Sequence, residues 1–280
     1  MRCTPRSTAV ICMLAFTLVL STGLASARSQ VTVQGSTTVL PIVQRMAEEF
    51  MKENPSVSMS VRGGGSGNGL AALIDSTVQI AMASRFIKPE EVKRAIANDV
   101  YPVPFRIALD GIAVVVNSKN PVDKLTLAQL KSVYTGEITN WKQLGGPDLK
   151  IVAVSRDTSS GTYEVYEELV MKGARVAPDA LLQASNGAVV DVVSRTPGAI
   201  GYVGLGYLAS NLKAVKVGVS DKAYVQPSLA SVQSGQYPIA RNLYVFTKDW
   251  PTGDSARFID FMLSPAGQKV VREEGFVPLW

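Results

Sequence analysis

"IVAVSRDTSSGTYEVYEEL" (residues 151–169) is the stretch on which the reading of this chain turns. Ile151 to Val154 is a short apolar run, read as a buried strand. Arg156 and Asp157 follow, then the small hydroxyl residues and glycine of Thr158–Thr162. Tyr163 to Met171 has helical periodicity. Strand, Gly/Ser/Thr turn and helix make one α/β unit. The same grammar occurs in "GSTT" (35–38) and "GGGSGNG" (63–69), and "SNGA" (185–188) opens a further helix.

The physics of this unit favours anions. The first turn of a helix leaves backbone N–H groups unpaired and carries partial positive charge. Small residues let an oxyanion approach, and hydroxyls add donors. Serine and threonine cap many helices, so one such loop means little. Several loops converging on one cleft could together hold a small oxyanion, because each hydrogen bond to an ionised group contributes about 1.5–3 kcal/mol.

Outward from these loops, short β-rich runs alternate with helical patterns, which predicts an α/β fold. "IALDGIAVVVN" (107–117), with a break expected near Asp110-Gly111, and "YPIARNLYVFTK" (237–248) are the two long apolar strands. They suit paired crossovers between two lobes. The middle of the chain then forms one lobe and its two ends the other.

Composition excludes several chemistries. The 280 residues contain no histidine, and both cysteines, Cys3 and Cys12, lie near the start. Ser-His-Asp and Cys-His nucleophiles are excluded, as are ordinary histidine-bearing zinc sites. Net charge is a mild +5 without a basic block, so nucleic acid is not an expected partner. No lysine follows the glycines as a phosphate-binding nucleotide loop requires, and a nucleophile elbow would need glycine where Asn68 stands. Gly67-Asn68-Gly69-Leu70-Ala71-Ala72 matches a dinucleotide fingerprint, but no acidic residue ends the following strand. Metals and cofactors are not implied.

Met1 to Ala27 reads as a secretory leader: Arg2 and Arg6, an apolar run from Ala9 to Leu20, and cleavage after Ala27 in Ala25-Ser26-Ala27. A periplasmic location follows as an expectation.

In order along the chain stand "GSTTVLP", "GGGSGNG", "AMASR", "GEITNWKQLGG", "SRDTSSGT", "SNGAVVDVV…PGAIGYV" and "YPIARNLYVF". This ordered set resembles the periplasmic phosphate-binding proteins of ABC-type uptake systems, over essentially all of 31–280. The resemblance implies the type II periplasmic-binding-protein fold, two lobes on a two-strand hinge. Residues 31–113 with 244–280 would form lobe I and 114–243 lobe II. It implies a monomer that captures phosphate between the lobes and delivers it to a membrane permease, without enzymatic chemistry. By resemblance the phosphate contacts fall on Thr37, Thr38, Ser66, Gly67, Ser84, Arg156, Ser160, Gly161 and Thr162, with Asn186 beside them.

One position departs from the best-known members. There an aspartate follows the serine of the "AMAS" segment and accepts the ligand's proton; here it is Arg85. Arg85 is counted with the site, and the acceptor role passes to Asp157, next to Arg156. Another tetrahedral oxyanion, sulfate, molybdate or tungstate, stays open as an alternative, as does a secreted hydrolase of phosphate esters. Trp141 is expected to pack in the core.

Overall fold

Alternating apolar patterns of period two and 3.6 build two α/β halves in the computed structural model, which describes residues 29–280. The expected leader and its cleavage after Ala27 lie outside the described residues. Among the described residues no helix is long and apolar enough to cross a membrane.

The first half begins with β1 (Ser29–Gly35), α1 (Leu40–Glu53), β2 (Val57–Arg62), α2 (Ser66–Ile74), β3 (Ile80–Ala83) and α3 (Pro89–Ala97). In α1, Ile42, Val43, Met46, Ala47 and Phe50 line one buried stripe, while Pro41 sits in the first turn where its missing N–H costs nothing. β1 lies between β2 and β3, parallel to both. The glycine loop is shorter than its sequence suggests. Gly65 holds φ +96°, and the helix starts directly after it at Ser66.

β4 (Val103–Asn117) joins the halves. The second half continues with β5 (Lys124–Thr126), α4 (Leu127–Tyr134), β6 (Val152–Arg156), α5 (Gly161–Tyr166), β7 (Leu181–Gln183), α6 (Asn186–Arg195) and β8 (Ala199–Gly204). The strands β9 (Leu212–Ala214), β10 (Lys216–Ser220) and β11 (Ala223–Val225) and the helix α7 (Leu229–Gln233) complete it. The chain returns through β12 (Ala240–Thr247) and ends with α8 (Gly253–Leu263) and α9 (Pro265–Glu273).

The main sheet runs β2-β1-β3-β12-β4-β8-β6-β7, with β9 also on β4. Residues 103–111 of β4 pair antiparallel with β12, and residues 112–116 pair with β8. The expected break at Asp110-Gly111 is therefore a change of partner inside one unbroken strand. Gly111 lets the Val232 side chain pack closely here, since a Cβ would stand 2.7 Å from Val232 Cγ2. Each half has its own apolar core. One contains Val31 to Ala108 with Leu243 to Phe276, and the other Ile112 to Ile239 with Val277 from the chain's end. Leu109 and Ala240, on the shared strands, pack against the second core. Trp141 belongs to the second core, fully buried with its indole N–H on the Gly198 carbonyl at 2.9 Å.

Candidate functional site

The strand-turn-helix units deliver their small residues to one place between the halves. Thr37 and Thr38 precede α1, Ser66 opens α2, and Ser84 follows β3; all four belong to the first half and are buried. From the second half come Arg156 at the end of β6, Ser160 and Gly161 at the start of α5, Thr162 after them, and Asn186 opening α6. These too are buried, with Arg156 at 1% exposure.

The halves touch through this cluster. Thr38 and Thr162 share a hydroxyl–hydroxyl hydrogen bond of 3.0 Å. Asn186 donates from Nδ2 to Thr37 Oγ1 at 3.3 Å and to Thr38 Oγ1 at 3.0 Å. Ser66 Oγ accepts from the Ser84 N–H at 3.0 Å. The Gly67 N–H donates to the Ser159 carbonyl at 3.0 Å. Gly65 permits that approach, since a Cβ there would lie 2.5 Å from Ser159 Oγ. Ser160 works as a helix cap, accepting from the N–H groups of Thr162 and Tyr163.

Arg156 is one of two buried arginines at the cluster. Its Nε donates to the Gln183 carbonyl, and its Nη2 to the Ala184 carbonyl and Thr37 Oγ1. Its Nη1 is buried with no hydrogen-bond partner among the described residues. Two charge-assisted donors are thus left open at a desolvated site, an arrangement that costs free energy until an anion accepts them. Burial pulls the guanidinium below its ordinary value; Asp157 opposes that, while Arg241 adds to it. It stays charged, because arginine starts far above neutrality.

Arg85 and Asp157 are engaged by other side chains. Arg85 forks onto Glu91 at 2.8 and 2.7 Å. Its Nε also lies 2.8 Å from Glu164 Oε2 across the cleft, an ion contact outside hydrogen-bond geometry. Lys88 reaches the same oxygen at 2.6 Å. Asp157 Oδ1 accepts from the Ser159 N–H at 2.9 Å and from its hydroxyl, so that carboxylate oxygen shapes its own turn. A cavity of about 440 Å³ lined by Arg85, Phe86, Glu164 and Tyr244 lies beside the cluster, with Arg241 between.

Sequence reasoning missed Asp110 and Arg241. They are register partners on β4 and β12. Asp110 Oδ2 accepts from Arg241 Nε at 3.0 Å and Nη2 at 2.8 Å, and Oδ1 accepts from the Leu205 N–H. Burial pushes the Asp110 carboxyl up and Arg241 down, each opposed by the other's charge. The available signal was one acid and one base, each alone in a long apolar strand.

Two α/β halves sharing the paired strands β4 and β12, with a polar cleft between them, define the class: a type II periplasmic-binding-protein fold. A family model described as the PBP superfamily domain matches residues 21–266. The phosphate-binding protein PstS of Bacillus subtilis is 35% identical over 258 residues, covering 92% of this chain and 83% of the relative. A solved Clostridium perfringens structure with bound phosphate superposes with TM-score 0.83 at 34% identity, covering 90% of this chain and 100% of that one. An ABC-type phosphate transport receptor from Vibrio cholerae gives TM-score 0.71 at 33% identity, covering 88% and 99%. The chain belongs to the PBP superfamily and, within it, to the PstS family of substrate-binding proteins, which are carriers rather than enzymes.

Proposed function

We propose that this protein captures inorganic phosphate between its two halves and delivers it to the permease of an ABC transporter. The observation that carries this reading is the Arg156 guanidinium, buried among hydroxyls from both halves with two N–H groups open at Nη1. The names of the relatives and the phosphate in the Clostridium perfringens structure support the choice of anion.

In this reading Arg156, Thr37, Thr38, Ser66, Ser84, Gly161, Thr162 and Asn186 surround the anion. Ser160 caps the helix that presents Gly161, and Gly67 helps hold the cleft closed. Arg85 and Asp157 serve the frame rather than the ligand. The protein works as a secreted monomer, freed by cleavage after Ala27, and the halves 31–113 with 244–280 and 114–243 swing about β4 and β12. Capture, docking, opening and release complete the cycle without covalent chemistry. Calorimetric titration of the phosphate-stripped protein with phosphate, sulfate and molybdate is the test. Phosphate binds in the micromolar range or tighter and ahead of the other two; preference for another oxyanion overturns the assignment.

A further inference from the structure

Arg241 shows how the cleft's hydroxyls are set to receive an anion. Its guanidinium has five N–H donors, and all are engaged. Nε and one donor of Nη2 hold Asp110. The other donor of Nη2 goes to Thr38 Oγ1 at 3.3 Å. Nη1 donates to the Ser84 carbonyl at 3.3 Å and to Thr162 Oγ1 at 3.0 Å. Unlike Arg156, this cation has no donor left for a ligand.

The consequence falls on the threonines. Thr38 Oγ1 accepts from Arg241 and from Asn186, which occupies both lone pairs, so in its 3.0 Å contact with Thr162 Oγ1 it must be the donor. Thr162 Oγ1 then accepts from both Arg241 and Thr38, and its own proton is the one left to give. A hydroxyl left to itself can turn either way. Here the turning is removed by the protein's own donors, and the pair offers an anion the Thr162 proton rather than lone pairs.

Arg241 also sits where the halves join. Its strand β12 and Asp110's strand β4 are the shared pair, and its five bonds reach Thr38 and Ser84 in the first half and Thr162 in the second. The bond to Thr162 therefore reaches from the shared strand β12 to the helix α5 of the second half.

We infer that Arg241, fixed by Asp110, is a positioning residue that locks the direction of the Thr38-to-Thr162 hydroxyl relay, so that Thr162 faces the anion as a donor, and ties that polarity to closure of the halves. The inference rests on the phosphate reading of the site.

Arg241→Lys is the decisive variant. Lysine keeps a cation beside Asp110 but cannot bridge Asp110 and both hydroxyls at once. Phosphate affinity falls roughly 10- to 100-fold, the scale of lost hydrogen bonds to a charged group. A role limited to neutralising buried Asp110 is rescued by lysine, so wild-type affinity in this variant overturns the inference. Thr162→Val supplies the coupling measurement. Because Arg241 acts partly through Thr162, the double variant loses less than the product of the single losses; multiplicative losses overturn the inference. Asp110→Asn keeps the side-chain shape, loosens the fork and weakens phosphate binding without removing any group around the anion; unchanged affinity there also counts against it. Wild-type protein titrated in parallel separates the two levels. No phosphate binding by wild type removes the functional reading and this inference together, whereas wild-type binding with unaffected variants removes this inference alone.

Discussion

Replacing Gly161 by alanine puts a methyl group into the contact between the halves. A Cβ at this position would lie 2.5 Å from Ser66 Oγ and 2.9 Å from Ser84 Oγ, both side chains of the opposite half. Ser66 and Ser84 are 0% and 1% exposed, so neither can swing into solvent. Ser66 Oγ also accepts the Ser84 N–H, and displacing it would strand a buried donor. Overpacking of this kind costs about 1–3 kcal/mol. The cost falls only on the closed arrangement, so the phosphate Kd rises about 5- to 150-fold. The open protein feels the opposite effect: alanine in a helix is favoured over glycine by roughly 0.5–1 kcal/mol. Ligand-free stability therefore holds or rises slightly while affinity falls. Calorimetry gives the Kd, and thermal melts with and without phosphate separate the two effects. Wild-type affinity in Gly161→Ala would refute the claim that binding requires the closure seen here.

Glu164→Gln removes the charge that Arg85 and Lys88 meet across the cleft. The phosphate Kd rises by about fivefold, equivalent to about 1 kcal/mol, and the difference from wild type shrinks with added salt because the Lys88 arm is exposed. A salt-independent gap would show that the ion pair is not the cause. Asp157→Asn, acting on the turn through Ser159, lowers phosphate and residual sulfate binding by the same factor. A selective loss of phosphate would restore Asp157 as acceptor of the ligand's proton. Tyr202 is fully buried and stacked on Tyr166 with ring centroids 3.9 Å apart. Burial pushes its hydroxyl up to about 12, opposed by Ser155 and the Arg156 N–H. The folded state prefers the neutral phenol, so this contribution is complete below about pH 10, where an unfolded tyrosine ionises, and is lost as pH rises through the folded value. Denaturant titrations between about pH 8 and 11 should show stability falling only at the alkaline end; a flat profile would mean that the tyrosine cluster is not buried in solution.

The candidate site was legible where chemistry is local. A strand, a run of small hydroxyl residues and a helix carry their own signature, and Thr37, Thr38, Ser66, Arg156, Thr162 and Asn186 all sit in such runs and meet in the cleft. What sequence could not supply is register and direction. Asp110 and Arg241 are 131 residues apart, and only the antiparallel pairing of β4 with β12 makes them neighbours. Arg85 looked like part of the anion site because it follows Ser84, yet its fork matches Glu91 one helix later and reaches Glu164 across the cleft. Asp157 beside Arg156 suggested a ligand contact, while the turn that follows draws its Oδ1 onto Ser159. The strand break expected at Gly111 was a real event misread: the chain changes partner there without leaving the sheet.

The most direct test of the account is phosphate titration of the stripped wild type beside Arg156→Met, which removes the open donors and keeps an apolar stem. The wild type binds in the micromolar range or tighter, and the variant loses about 100-fold or more, as expected when several charge-assisted donors disappear from a desolvated site. Phosphate binding of wild-type strength in Arg156→Met would contradict the account at its centre.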